Sequence, residues 1–223
     1  LIRINVINFP LFVGILITGA VPLAAGSTLV WSKELGGKVE VTLLLIVTTI
    51  LASPLITPSY IYLFLRDRVT INIQNMFFEM ALIIFIPLLA SFYFKKKFIK
   101  NLNPNFSFII IGIIINIAVS KSAEKLDLVK DYLIISIVLS LIFIAITLLV
   151  LSLFSKGLGL KNEEKESIYM PSFFKNVSLA IIIVSFFEPE VVFFPVIYYI
   201  VEQIIPPIYY EIKKYNSKIF KLI

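Results

Sequence analysis

The chain has 223 residues, 59% of them hydrophobic and 15% charged, with a mean hydropathy of +0.99. A soluble domain carries about 25% charged residues, and a chain of ~220 residues cannot hide this much apolar surface in one core, so a soluble globular protein is excluded. The net charge of +6 comes without a basic–aromatic groove pattern, which excludes a nucleic-acid partner; in a membrane chain, lysines at helix ends are orientation signals. There is no cysteine and no histidine, which removes disulfides, thiolate metal sites, the commonest metal ligand and the usual pH switch.

The apolar residues fall in long blocks, the pattern of helices whose solvent is lipid. Residues 9–24, "FPLFVGILITGAVPLA", form a short apolar segment, and "AGSTLVWSKELGG" then breaks the run. A span needs about 20 residues, so this first helix reaches full length only as 9–35, broken at Pro22 and Gly26. Residues 39–65 are a long span ending at "RDR", and 73–94 are a span ending in "KKKFIK". Residues 106–120 form a shorter span and 131–155 a clear one, followed by a polar loop, "KGLGLKNEEKES". Residues 169–187 are a second interrupted helix, with its break placed at Pro171, and 190–212 are the last span.

The fold class is therefore an all-α integral membrane protein. Residues 1–68 read as the tail of one repeat, a broken helix plus a span. Residues 69–223 read as a complete five-helix repeat that ends in the same way. Two copies with an odd helix number lie inverted in the membrane, and inverted repeats with broken helices in matching places mark secondary transporters. With the end of the first broken helix inside, thirteen lysines fall on the inner side. Six basic residues fall on the outer side, and Lys175 stays in the membrane. The positive-inside rule then puts the protein in the cell membrane with a cytoplasmic C-terminus.

Residues 14–58, "GILITGAVPLAAGSTLVWSKELGGKVEVTLLLIVTTILASPLITP", resemble the broken fourth helix and the fifth helix of the bile acid:sodium symporter family. Residues 175–204, "KNVSLAIIIVSFFEPEVVFFPVIYYIVEQI", resemble its broken ninth helix and tenth helix. The resemblance implies ten helices in two inverted repeats, with the broken helices crossing at the substrate and ion sites near the midplane. It also implies three helices ahead of residue 9, absent from this chain. They would come from a longer chain or a partner, or a homodimer would make up for them.

The resemblance implies sodium ligands at Ser27, Thr28 and Thr42, a weakened set, because Ile46 falls where the family often has a threonine. In the second broken helix a family Glu, Gln and Asn fall on Pro171, Lys175 and Asn176. The carboxylate is gone, and an ammonium within about 4–6 Å repels sodium. Lys175 then stands in the cation's place, bonded to Ser27 and Thr28, and loads and releases a proton, or stays charged and draws in an anion; otherwise it snorkels to the interface. H+ is the favoured coupling ion and Na+ the one the family implies. Glu202, mid-way along the last span, reads as a partner of Lys175, a proton relay, or a buried neutral acid, with Gln203 beside it. Asn176 and Ser178 complete the polar set, Asn116 lines the pathway or holds neighbouring backbone, and Glu40 and Glu79 sit at the interface.

Helix N-termini aimed at a crossing favour anions, so the expected substrate is a small organic anion, a carboxylate. The arsenite branch of the superfamily fits less well, since its cysteine has no match here. An inactive or accessory remnant, or a channel-like protein of the same fold, is the alternative. No nucleophile elbow, metal cluster or phosphate loop points to an enzyme, and no cofactor is expected.

Overall fold

A computed structural model describes residues 9–66, 68, 72–93, 113, 116 and 126–219. Its helices are α1 (Phe9–Ala20), α2 (Gly26–Glu34), α3 (Val39–Leu65), α4 (Ile73–Tyr93), α5 (Leu126–Gly157), α6 (Asn162–Phe173), α7 (Val177–Val184), a 3-10 turn η1 (Pro189–Val192) and α8 (Phe193–Ile219). Among the described residues, four helical stretches are long and apolar enough to cross a membrane: Val39–Leu65, Ile73–Ser91, Leu133–Gly157 and Pro189–Tyr215. Phe9–Ala20 is a shorter apolar helix. The expected span 106–120 lies outside the described residues except at 113 and 116, both helical.

α8 is the central helix: 56% of its apolar window is buried, against 11–22% for the other three spans. It packs on α1, α5, α7 and η1, while α3 packs on α1, α2, α4 and α6. Lipid is as apolar as leucine, so close backbone approach holds such helices together rather than apolar burial alone. Gly14 of α1 shows this, because a Cβ there would meet Phe194 Cβ and the Val191 carbonyl at 2.9 Å.

Four expected boundaries shift. The charged stretch 162–167 is helical, the first half of α6 rather than a loop. Glu163 and Glu164 lie in its first turn, where acids suit the positive end of the helix. Glu164 Oε2 also accepts the Lys161 N–H at 3.0 Å. The second break is not at Pro171, which lies inside α6; the chain unwinds later, at residues 174–176. A proline within the last turn lacks one N–H donor but has the right φ for helix. The carbonyl that Pro171 leaves without a donor is that of Ser167, four residues back, and Thr42 Oγ1 of α3 donates to it at 3.2 Å. α5 is longer than expected, as is α8, which runs past residue 212.

Between α2 and α3 the chain reverses in a tight turn. Gly36 takes φ +80°, the left-handed conformation that glycine adopts without strain. Gly36 N–H bonds the Lys33 carbonyl and Gly37 N–H the Ser32 carbonyl, which satisfies the end of α2. Gly37 sits so close to α6 that a Cβ would lie 2.9 Å from Ser167 N.

Candidate functional site

Both interrupted helices stop in an apolar interior, where each unpaired backbone group costs several kcal/mol, of order 1–3 even in water-based scales. The sequence meets this by pairing the two breaks with each other. Leu23 and Lys175 form an antiparallel bridge. Ala24 N–H donates to the Phe174 carbonyl at 3.0 Å, and Asn176 N–H donates to the Pro22 carbonyl at 2.9 Å.

The remaining groups of the first break are met by α3. Thr57 Oγ1 donates to the Ala20 carbonyl at 2.7 Å, and Leu23 N–H donates to Thr49 Oγ1 at 3.4 Å. Pro22 has no N–H to satisfy. Thr42, Thr49, Ser53 and Thr57 recur at helical spacing and place a polar stripe on α3, facing α1 and α2 as an antiparallel neighbour.

α8 meets the second break. Tyr198 O–H donates to the Phe173 carbonyl at 2.6 Å. One turn on, Glu202 Oε2 accepts the Lys175 N–H at 2.9 Å. Asn176 caps α7, its Oδ1 accepting the Leu179 N–H at 3.1 Å. Glu202 is fully buried. Gln203 Nε2 reaches its other oxygen at only 3.4 Å, a weak bond. Pro206 and Pro207 lie in α8 four residues beyond Glu202 and Gln203, so neither carbonyl finds its helical donor there.

The expected pairing of Lys175 with Glu202 therefore runs through the backbone N–H. Among the described residues the Lys175 ammonium makes no ion pair within 4.0 Å and no bond to Ser27 or Thr28. The Lys175 side chain is half-buried at the crossing. Ser27 stands half-buried in the first turn of α2, and Ser178 half-buried in the first turn of α7. Asn116 is helical and has an interaction partner.

A second polar cluster lies where α2, α3 and α6 meet, further from the crossing. Ser32 Oγ and Thr42 Oγ1 are 2.6 Å apart, and both residues are fully buried. Lys38 N–H donates to Ser167 Oγ at 2.6 Å, and Ser167 Oγ donates to the Glu163 carbonyl at 2.6 Å. Thr28 is fully buried one turn from Ser32, and among the described residues its hydroxyl has no hydrogen-bond partner.

These residues fit a sodium ion poorly. A hydroxyl carries one proton and two lone pairs, and Thr42 Oγ1 is already engaged with Ser32 and Ser167. Ile46, one turn along α3, is buried and apolar. Among the described residues no three acidic side chains gather as a metal site. Of the expected ligands, Thr28 Oγ1 is the buried hydroxyl left without a hydrogen-bond partner among the described residues.

Ion pairs close the end of the fold at the α2–α3 turn. Lys38 Nζ lies 3.0 Å from Glu164 Oε1. Lys213 Nζ bonds both Glu166 Oε1 at 2.6 Å and the Leu35 carbonyl at 2.9 Å, joining α8, α6 and the end of α2. The Lys161 N–H, followed by Lys38, holds the Glu164 carboxyl below its ordinary range. The hydrogen bond from Glu164, followed by its charge, raises the Lys38 ammonium.

The family model described as the sodium bile acid symporter family matches residues 2–162. The chain belongs to the sodium bile acid symporter family. A comparison with curated proteins gives no match. Members of the sodium bile acid symporter family are membrane transporters rather than enzymes, and the four candidate spans agree with an integral membrane protein. The match takes in α1–α5, so it covers the first break and its α3 partners.

Sequence reasoning placed Ser27, Thr28, Asn176, Ser178, Lys175 and Glu202 around one site, and the structure sets them on the two breaks and their flanking helices. Thr42 belongs instead to the cluster with Ser32 and Ser167. Thr49, Thr57 and Tyr198, which hold the breaks in place, were not singled out. The spacing of hydroxyls along 42–57 was a readable signal for the first two.

Proposed function

We propose that the protein is a secondary active transporter that moves a small organic anion by alternating access, coupled to protons rather than sodium. The observation that carries this reading is the antiparallel pairing of the two breaks at Leu23 and Lys175. It sets the first turns of α2 and α7 and one half-buried lysine around a single crossing. Helix N-termini and an ammonium both favour a negative guest. Lys175 takes the charge role that a bound cation would otherwise fill, and the engaged hydroxyl of Thr42 together with Ile46 argues against a sodium site of the usual strength.

We also infer that the succession α1–α2–α3 and the succession α6–α7–α8 are matching ends of two inverted five-helix repeats. Each is an interrupted helix followed by a long span. The lysine-bearing end, with Lys33, Lys38 and Lys213, is the cytoplasmic one.

The test is uptake by the full chain in liposomes, with proton and sodium gradients imposed one at a time and radiolabelled pyruvate or 2-oxobutyrate as probes. An inward proton gradient is expected to drive accumulation, and Lys175→Ala to reduce it by about tenfold or more. Lys175→Gln is expected to introduce a sodium requirement. Uptake driven by sodium alone and unchanged in Lys175→Ala would overturn the coupling. Equilibration without accumulation would point to a channel, and no flux at all to a remnant.

A further inference from the structure

Among the described residues, the ionisable side chain of Glu202 has no salt-bridge partner. It is fully buried, and its carboxyl is tied to the backbone of the second break rather than to a cation. Oε2 holds the Lys175 N–H at 2.9 Å. Oε1 has only the long contact to Gln203 and is the place where a proton can add without disturbing the break. The residue whose backbone this carboxyl holds, Lys175, is itself charged. On α8 itself Tyr198 and Tyr199 are close, and Tyr198 is committed to the Phe173 carbonyl. α1 and α7 contain no titratable residue, nor does α5 over residues 133–155. In α6, Tyr169 is bonded to Ser155 and Glu166 to Lys213. Glu190 of η1 has an interaction of its own.

We propose that Glu202 carries the coupling proton. This rests on the reading of the crossing as an anion site. With Glu202 ionised, its negative charge offsets that of Lys175 and the crossing has no net charge for an anion. A proton that adds to Oε1 leaves the Oε2 bond to the break in place and uncovers the lysine charge. A monoanion then binds. Proton and anion cross together and leave together, and Lys175 stays protonated throughout. One proton and one monoanion per cycle makes the transport electroneutral, and a gradient of about one pH unit supports up to roughly tenfold accumulation.

The test has two readouts on the full chain in liposomes. The first needs no substrate: infrared difference spectra are taken between acidic and alkaline buffer. A protonated-carboxyl band that appears in acid, is missing in Glu202→Gln and shifts its titration in Lys175→Gln is expected. A titrating band set identical in wild type and Glu202→Gln overturns the proposal. The second is uptake of pyruvate and 2-oxobutyrate. Glutamine keeps an oxygen for the Lys175 N–H, so the break is retained. Glu202→Gln is expected to lose proton-driven accumulation about tenfold and to show an initial rate that no longer varies with external pH. Accumulation equal to wild type in that variant overturns the proposal. If the wild type accumulates these anions on sodium alone, coupling by Glu202 is wrong while the anion-transporter reading stands. If it moves none of them under any gradient, that reading fails and the proposal with it, whatever the spectra show.

Discussion

Residues 21–25 and 174–176 both strand main-chain groups in an apolar interior, and they share two hydrogen bonds with each other. They differ in what meets the rest. The first break leans on neutral hydroxyls of α3, Thr49 and Thr57. The second leans on α8, through one phenol and one carboxyl, Tyr198 and Glu202. A hydroxyl offers the same bond at every physiological pH. A carboxyl offers two states with different charge and nearly the same geometry. The first break therefore serves as a fixed frame, while the second has a partner whose chemistry can change without the backbone coming apart.

The largest expected effect breaks that contrast at its charged side. Glu202→Ala leaves the Lys175 N–H buried and unpaired, at about 3 kcal/mol, and Glu202→Gln recovers most of it. Unfolding of the purified protein in denaturant measures both. If Ala and Gln behave alike, the carboxyl does not hold the break. Tyr198→Phe removes the donor from the Phe173 carbonyl and is expected to cost about 1–2 kcal/mol in the same assay. Thr57→Val should cost about 1 kcal/mol, and Thr49→Val less, since its bond is 3.4 Å. Neither threonine variant should alter the pH dependence of transport; a pH profile that moved in Thr57→Val would erase the distinction between the breaks.

The smallest effect lies at the exposed pair Lys38–Glu164. The Glu164 carboxyl is depressed, so its stabilisation is present above the ordinary carboxylate range and is lost as pH falls through the lowered value. The Lys38 ammonium is raised, so its stabilisation is present below the ordinary lysine range and is lost as pH rises through the raised value. The thermal midpoint of wild type should fall slightly more than that of Glu164→Gln when the buffer is taken from neutral to strongly acid. An identical fall in both would show that the pair contributes nothing, as surface pairs often do not.

What could be read from the sequence depended on how local the cause is. α3 was legible to the residue at 39–65, because Gly36 and Gly37 open it and charged residues close it. The first break was legible from Pro22, which stands within it. The second was misplaced by three residues. Pro171 is accommodated in the last turn of α6, and the orphaned Ser167 carbonyl finds Thr42 at a distance of 125 positions in the chain. The start of α6 was missed because "NEEKES" reads as a polar loop, although acids at a helix start carry the opposite message. The partners of the second break are 25 and 27 positions away, and no periodicity links them. Glu202 announced itself only as a charge in an apolar run. That its carboxyl would take a backbone N–H rather than an ammonium needed the three-dimensional arrangement.

The pairing of the two breaks is the claim on which the rest stands, and the chain, which has no cysteine of its own, allows a direct test. The hydrogen bonds fall on the residues either side of Leu23 and Lys175, so these two form a non-hydrogen-bonded antiparallel pair, with Cα atoms about 4.5 Å apart. That separation lies within the range a disulfide spans. In the variant Leu23→Cys/Lys175→Cys, mild oxidation of membranes should give an intramolecular disulfide in most of the protein, read by peptide mass spectrometry. Two cysteines that both stay free and are alkylated after denaturation would contradict the crossing, and with it the site built on it.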